Sequence, residues 1–131
     1  MKKYVLVLLA LIIVLLSGCA AVPATSAPEP VSLSGDWSYD SEGFSFSGEV
    51  VGDEITLNLI AQDSTGLYWT GTFASEATDG EVITSDADTD ALAVSLFGSS
   101  DPTKDFTFKD GKLTFEFTIM GTTSTVALSQ K

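Results

Sequence analysis

Two short runs of alternating apolar and polar residues, joined by an Asp-Gly pair, constrain this chain more than any other feature. Phe106 and Phe108 lead into Asp110-Gly111, and Leu113, Phe115, Phe117 and Ile119 lead away from it, with Thr114, Glu116 and Thr118 between them. Side chains alternate faces along a strand, so each run has one dry and one wet face. Asp-Gly tolerates the positive φ values of a tight type I′ turn, which makes the pair a hairpin. The same alternation recurs upstream. Phe44 and Phe46 alternate with Ser45, Ser47 and Glu49; Ile55, Leu57, Leu59 and Ala61 alternate with Thr56 and Asn58; Trp69, Gly71 and Phe73 alternate with Thr70 and Thr72. Strands are predicted over 34–40, 43–51, 54–62, 67–75, 81–86, 92–98, 104–109, 112–120 and 122–129. No stretch carries a helical period. Consecutive hairpins with one apolar face form an antiparallel meander, and curling it into a barrel buries that face and removes the edges. The expected fold is all-β: a single small antiparallel meander barrel of about eight or nine strands, formed by residues 33–131.

A barrel of that size is either filled by side chains or holds one small ligand. The positions expected to face inward are mostly large: Trp37, Phe44, Phe46, Leu57, Trp69, Phe73, Phe106, Phe108, Phe115 and Phe117. A filled core is the leading expectation and a pocket for a small apolar ligand the alternative. Tyr68 precedes Trp69 on the same strand, so it is expected to face solvent, where it could anchor a partner.

The first nineteen residues have a different character. Lys2 and Lys3 precede an apolar run of 13 residues, Tyr4 to Leu16, and Ser17-Gly18 are the small residues before a cleavage point. The run is short for a membrane span, which needs about 20 apolar residues. Leu16-Ser17-Gly18-Cys19 resembles the lipobox of bacterial lipoproteins, L-[AS]-[GA]-C, at all four positions. The resemblance implies cleavage between Gly18 and Cys19, a diacylglyceryl group on the Cys19 sulfur, and Cys19 as the first residue of the mature chain. Residues 1–18 are therefore expected to be a cleaved signal peptide. Residues 19–32 follow as the lipidated Cys and a tether holding Pro23, Pro28 and Pro30 among Ala, Ser and Thr, a composition that favours extended chain. At about 3.1 Å per residue such a tether could lift the domain up to ~40 Å from the bilayer. The expected location is extracytoplasmic, on the cell membrane or outer membrane.

Cys19 is the only cysteine, and the chain has no histidine and no arginine. A disulfide framework, a thiolate metal site and the Ser-His and Cys-His catalytic pairs are all excluded for residues 33–131. Without Lys2 and Lys3, the formal charge of −12 becomes −14, four lysines against 18 carboxylates. Such a surface repels nucleic acid, which is bound through clustered Lys and Arg. Phosphate-binding glycine loops are missing as well, and no motif selects two of the carboxylates as an acid and base pair. The expectation is a protein that is not an enzyme and needs no cofactor beyond its covalent lipid.

One acidic cluster suggests a cation. Asp86-Ala87-Asp88-Thr89-Asp90 has the rhythm that opens calcium loops, but Ala91 and Phe97 stand where an EF-hand needs Gly and Glu. A weak calcium site built from Asp79, Asp86, Asp88 and Asp90 remains beside the plainer reading of a solvated acidic loop.

Leu33-Ser34-Gly35-Asp36-Trp37 resembles the start of the calycin barrels, a group that includes lipocalins and avidins, where G-x-W opens the first strand. The resemblance implies that Gly35 and Trp37 lie at one end of the barrel with the Trp packed across it. Lipocalins commonly stack an Arg from the last strand on that Trp; here Lys131 lies nearest the expected place and lacks the planar guanidinium. Two functional readings stay open. One is a tethered, non-catalytic binding or interaction module meeting a protein or glycan at the cell envelope, and the other a small calycin-like carrier.

Overall fold

Eight of the nine alternating segments fold as strands. The structure, a computed structural model, describes residues 28–131; the cleavage site at Gly18 and Cys19 and the tether as far as residue 27 lie outside the described residues. The strands in chain order are β1 (Val31–Ser32), β2 (Gly35–Asp40), β3 (Phe44–Val51), β4 (Glu54–Ala61), β5 (Ser64–Thr72), β6 (Glu76–Ala77), β7 (Glu81–Asp86), β8 (Thr103–Lys109), β9 (Lys112–Ile119) and β10 (Thr122–Gln130). Eight of them form one antiparallel sheet in the order β5-β4-β3-β2-β10-β9-β8-β7, and β1 pairs with β6 beside it. The sheet curls into a nearly closed barrel. Residues 31 and 32, expected in the tether, thus already belong to the folded part.

The remaining segment, 92–98, is not a strand. Asp88 caps a short helix, α1 (Thr89–Ala93), by accepting the Ala91 N–H at 3.1 Å, and the Ala-Leu-Ala run is good helix-forming sequence. Of the apparent alternation Leu92-Val94-Leu96, only Leu92 is buried; Leu96 is 99% exposed. With no neighbouring strand to pair with, three apolar residues at spacing two carried no β information.

A second departure is Tyr68. The β4–β5 ladder runs Leu57↔Trp69 and then Asn58↔Leu67, leaving Tyr68 as the extra residue of a bulge. A bulge breaks strict alternation, so Tyr68 and Trp69 both turn inward and the expected solvent-facing Tyr68 is only 7% exposed.

Trp37 is 1% exposed and donates its indole N–H to the Leu33 carbonyl at 2.9 Å. Gly35 sits at φ +122°, a backbone region that only glycine adopts readily. The first strand of the barrel meets the last through Ser129↔Ser38 and Gln130↔Trp37, and the pairing continues as the Lys131 N–H donates to the Asp36 carbonyl. The interior is a continuous aromatic stack: Phe46 lies edge-on to Phe115 and Phe117 at 5.3 and 5.1 Å, and Phe73 meets Phe106 at 5.2 Å. Such contacts add about 0.5–1.5 kcal/mol per pair beyond their buried area.

The barrel has two seams of different quality. Where the sheet ends meet, β5 and β7 are stitched by a Gly71↔Ala87 bridge, by the Trp69 indole donating to Ser85 Oγ at 2.9 Å, and by the Asp88 N–H donating to the Thr70 carbonyl. Gly71 is required there, since a Cβ would run into the Asp86 carbonyl oxygen. Between β8 and β9 the ladder closes only from the hairpin as far as Thr107↔Thr114 and then stops.

Candidate functional site

At the open part of the second seam lies Lys104, which is 8% exposed. Its Nζ stands 5.2 Å from the centre of the Tyr68 ring, 5.3 Å from Trp69 and 5.8 Å from Phe115, and 3.4 Å from Asp101 Oδ2. A lysine this buried is uncommon unless paired. Here the aromatic faces attract the ammonium through their negative π-clouds while Asp101, at the rim, balances its charge. Tyr68 joins this cage only because the bulge turns it inward. The sequence did carry a signal: positions 104, 106 and 108 share one face, so the period that puts Phe106 and Phe108 inside puts Lys104 inside with them.

Two clefts open around Lys104. One, of about 540 Å³, lies between the diverging strands, with Thr103, Asp105 and Thr107 on one wall and Thr114, Glu116 and Thr118 on the other. The second, of about 410 Å³, continues over the barrel end, where Leu59, Tyr68, Phe97, Phe117 and Ile119 supply apolar surface. Phe97 reaches this place from the loop after α1, packed on the bare backbone of Gly66. At the same end the β9–β10 turn presents Met120 fully to solvent.

The residues singled out from sequence lie elsewhere. Gly35 and Trp37 are structural parts of the first strand and its pairing with the last. No Lys131 ammonium lies over the Trp37 ring; the last strand instead holds the first through Gln130 Nε2, which donates to the Ser34 carbonyl at 2.8 Å. The four aspartates have separate local tasks. Asp79 Oδ1 accepts the Asp110 N–H at 2.7 Å and braces the Asp-Gly hairpin; Asp88 caps α1; Asp90 lies in the first turn of α1, where the helix dipole favours an anion; Asp86 ends β7. Among the described residues no three His, Cys, Asp or Glu side chains are arranged to hold a metal ion. At matched ionic strength, where screening of the carboxylates is held constant, calcium and magnesium are therefore expected to give the same melting midpoint as each other and as the chelator control. Thermal unfolding in chelator, calcium and magnesium checks this. A calcium-selective rise that disappears in Asp88→Asn would show a site instead.

The fold and clefts define a class: a small, nearly closed antiparallel β-barrel with an aromatic-filled interior and one half-open seam. Comparison with protein-family models, with curated proteins and with solved structures finds no match to this chain.

Proposed function

We propose that this chain is a lipid-anchored extracytoplasmic protein whose barrel serves as a non-catalytic binding module at the cell envelope. The observation that carries the binding-module reading is the filled interior. Phe46, Phe115, Phe117 and Tyr68 pack ring against ring along the axis, while the sizeable clefts lie in the wall and at one end. Contact with another molecule falls to that outer surface. The lipobox-like Leu16-Ser17-Gly18-Cys19 and the proline-containing tether support the anchor and the location outside the cytoplasm. The absence of histidine and of any cysteine but Cys19 supports a role without nucleophilic or acid-base chemistry. Leu33-Ser34-Gly35-Asp36-Trp37, leading into the strand that pairs with the last one, supports a calycin-like relationship. The partner of the module is a protein or glycan of the envelope.

The carrier reading requires an apolar ligand to enter where the rings now pack. Titration with a fluorescent fatty acid separates the two: the expected result is no saturable binding. A one-to-one isotherm, weakened by Phe46→Ala or Phe117→Ala, would favour the carrier and defeat the module.

A further inference from the structure

Antiparallel partners exchange both backbone bonds only at every second pair. Counting from the two-residue turn at Asp110-Gly111, the bonded pairs are Lys109↔Lys112 and Thr107↔Thr114, so the next two would be Asp105 with Glu116 and Thr103 with Thr118. Neither forms. The far edges of both strands are occupied, since β8 pairs with β7 as far as Thr103↔Asp86 and β9 pairs with β10 as far as Ile119↔Thr122. The N–H and C=O groups of Thr103, Asp105, Glu116 and Thr118 therefore face the cleft of about 540 Å³ with no strand opposite them. Unpaired edges of this kind are templates for strand addition.

We propose that this half-open seam takes up an extended segment of another polypeptide as an inserted strand, with basic side chains alternating with small apolar ones. The proposal rests on the binding-module reading. The period of a strand sets the alternation: outward positions of the incoming segment would lie between the exposed Asp105 and Glu116, and inward positions would meet Phe115 and the apolar stem of Lys104. Lys104 offsets Asp101, with which it is paired, and leaves Asp105 and Glu116 uncompensated, because its ammonium is turned inside. A second copy is a poor occupant. Its net charge has the same sign, and an Asp105–Glu116 wall brought against another carries like charges face to face.

The test uses the full acylated chain in detergent micelles, with a synthetic peptide of alternating lysine and valine as probe and residue-resolved amide hydrogen exchange as readout. In the free protein the amides of Thr103, Asp105, Glu116 and Thr118 are expected to exchange much faster than those of Phe106 and Phe117, whose bonds run to β7 and β10. At a peptide concentration ten times its Kd they should slow about tenfold, by mass action. The same peptide methylated on alternate backbone nitrogens keeps the charge but cannot complete the ladder, so it should protect nothing. The double variant Asp105→Lys, Glu116→Lys should fold normally, both sites being exposed, and lose the protection. Four outcomes overturn the proposal: amides already slow without peptide, protection that grows with protein concentration alone and so marks a second copy, equal protection by the methylated peptide, or no protection by either. A peptide that binds and protects amides elsewhere removes the seam and leaves the binding module standing. Saturable fatty-acid binding removes the module and is read separately from the seam.

Discussion

Trp37→Ala is expected to lower the stability of the domain by about 3–5 kcal/mol, the range for removing a large buried aromatic side chain. The ring is 1% exposed and lies where the first strand of the barrel meets the last, so nothing nearby can collapse into its volume without disturbing that pairing. Its indole is also the donor to the buried Leu33 carbonyl. Domains of this size have a total stability of about 5–15 kcal/mol. A loss of that size removes a large share of that total and lowers the melting midpoint by more than about 12 °C. Trp37→Phe keeps most of the apolar area but leaves the Leu33 carbonyl unpartnered, for a loss of about 1–3 kcal/mol. Leu96→Ala, at a residue 99% exposed, serves as the control and should change stability by under about 0.5 kcal/mol. Thermal unfolding of the three variants measures this; equal shifts in Trp37→Ala and Leu96→Ala would sink the barrel-closing role of the tryptophan.

Cys19→Ser should abolish both acylation and cleavage. The proposed anchor is a thioether on the Cys19 sulfur, and a hydroxyl does not form it, so the lipoprotein peptidase has no substrate and residues 1–18 stay attached. A mature chain without lipid would leave the membrane fraction, since in the proposed anchor two acyl chains, at about 0.8 kcal/mol per buried methylene, would supply the attachment. The uncleaved variant is instead expected as a precursor of higher mass with no palmitate label. Metabolic labelling with membrane fractionation checks this. A variant that still takes up label, or is still cut before residue 19, defeats the anchor.

Much of the barrel could be read from the alternation alone. The segments around Phe46, Leu57, Phe106 and Phe115 fold as expected, because each is long enough for a period of two to be unambiguous and each is bounded by a turn residue. The misreadings came where alternation was short or broken. Leu92-Val94-Leu96 mimicked a strand over five residues, while the Asp88 cap and the helix-forming alanines acted more locally and prevailed. Alternation puts Tyr68 outside because a bulge cannot be recognised without its partner strand: the extra residue exists only relative to the unbulged Leu57-Asn58 opposite it. The candidate site was half legible. Lys104 sits in register with Phe106 and Phe108, yet its burial is possible only because Tyr68 and Trp69 of β5 and Phe115 of β9 arrive from two other parts of the chain, with Asp101 three residues before it to balance the charge.

By itself the sequence determined that residues 33–131 form antiparallel strands around an aromatic core, because side-chain period and turn chemistry are local and need no partner. It likewise determined the acidic charge, the lack of histidine and arginine, and the lipobox-like run at Cys19, which are properties of composition and spacing. Only the tertiary structure decided that the β5–β7 seam is stitched through Gly71 and Trp69 while the β8–β9 seam stops at Thr107↔Thr114. The reason is that a ladder's extent depends on how two strands, even neighbours in a hairpin, diverge once packing against the rest of the barrel has set its curvature. The β9 sequence alternates as regularly beyond that pair as before it, and the one local irregularity is Lys104 at an inward position of β8, which does not by itself mark where the pairing ends.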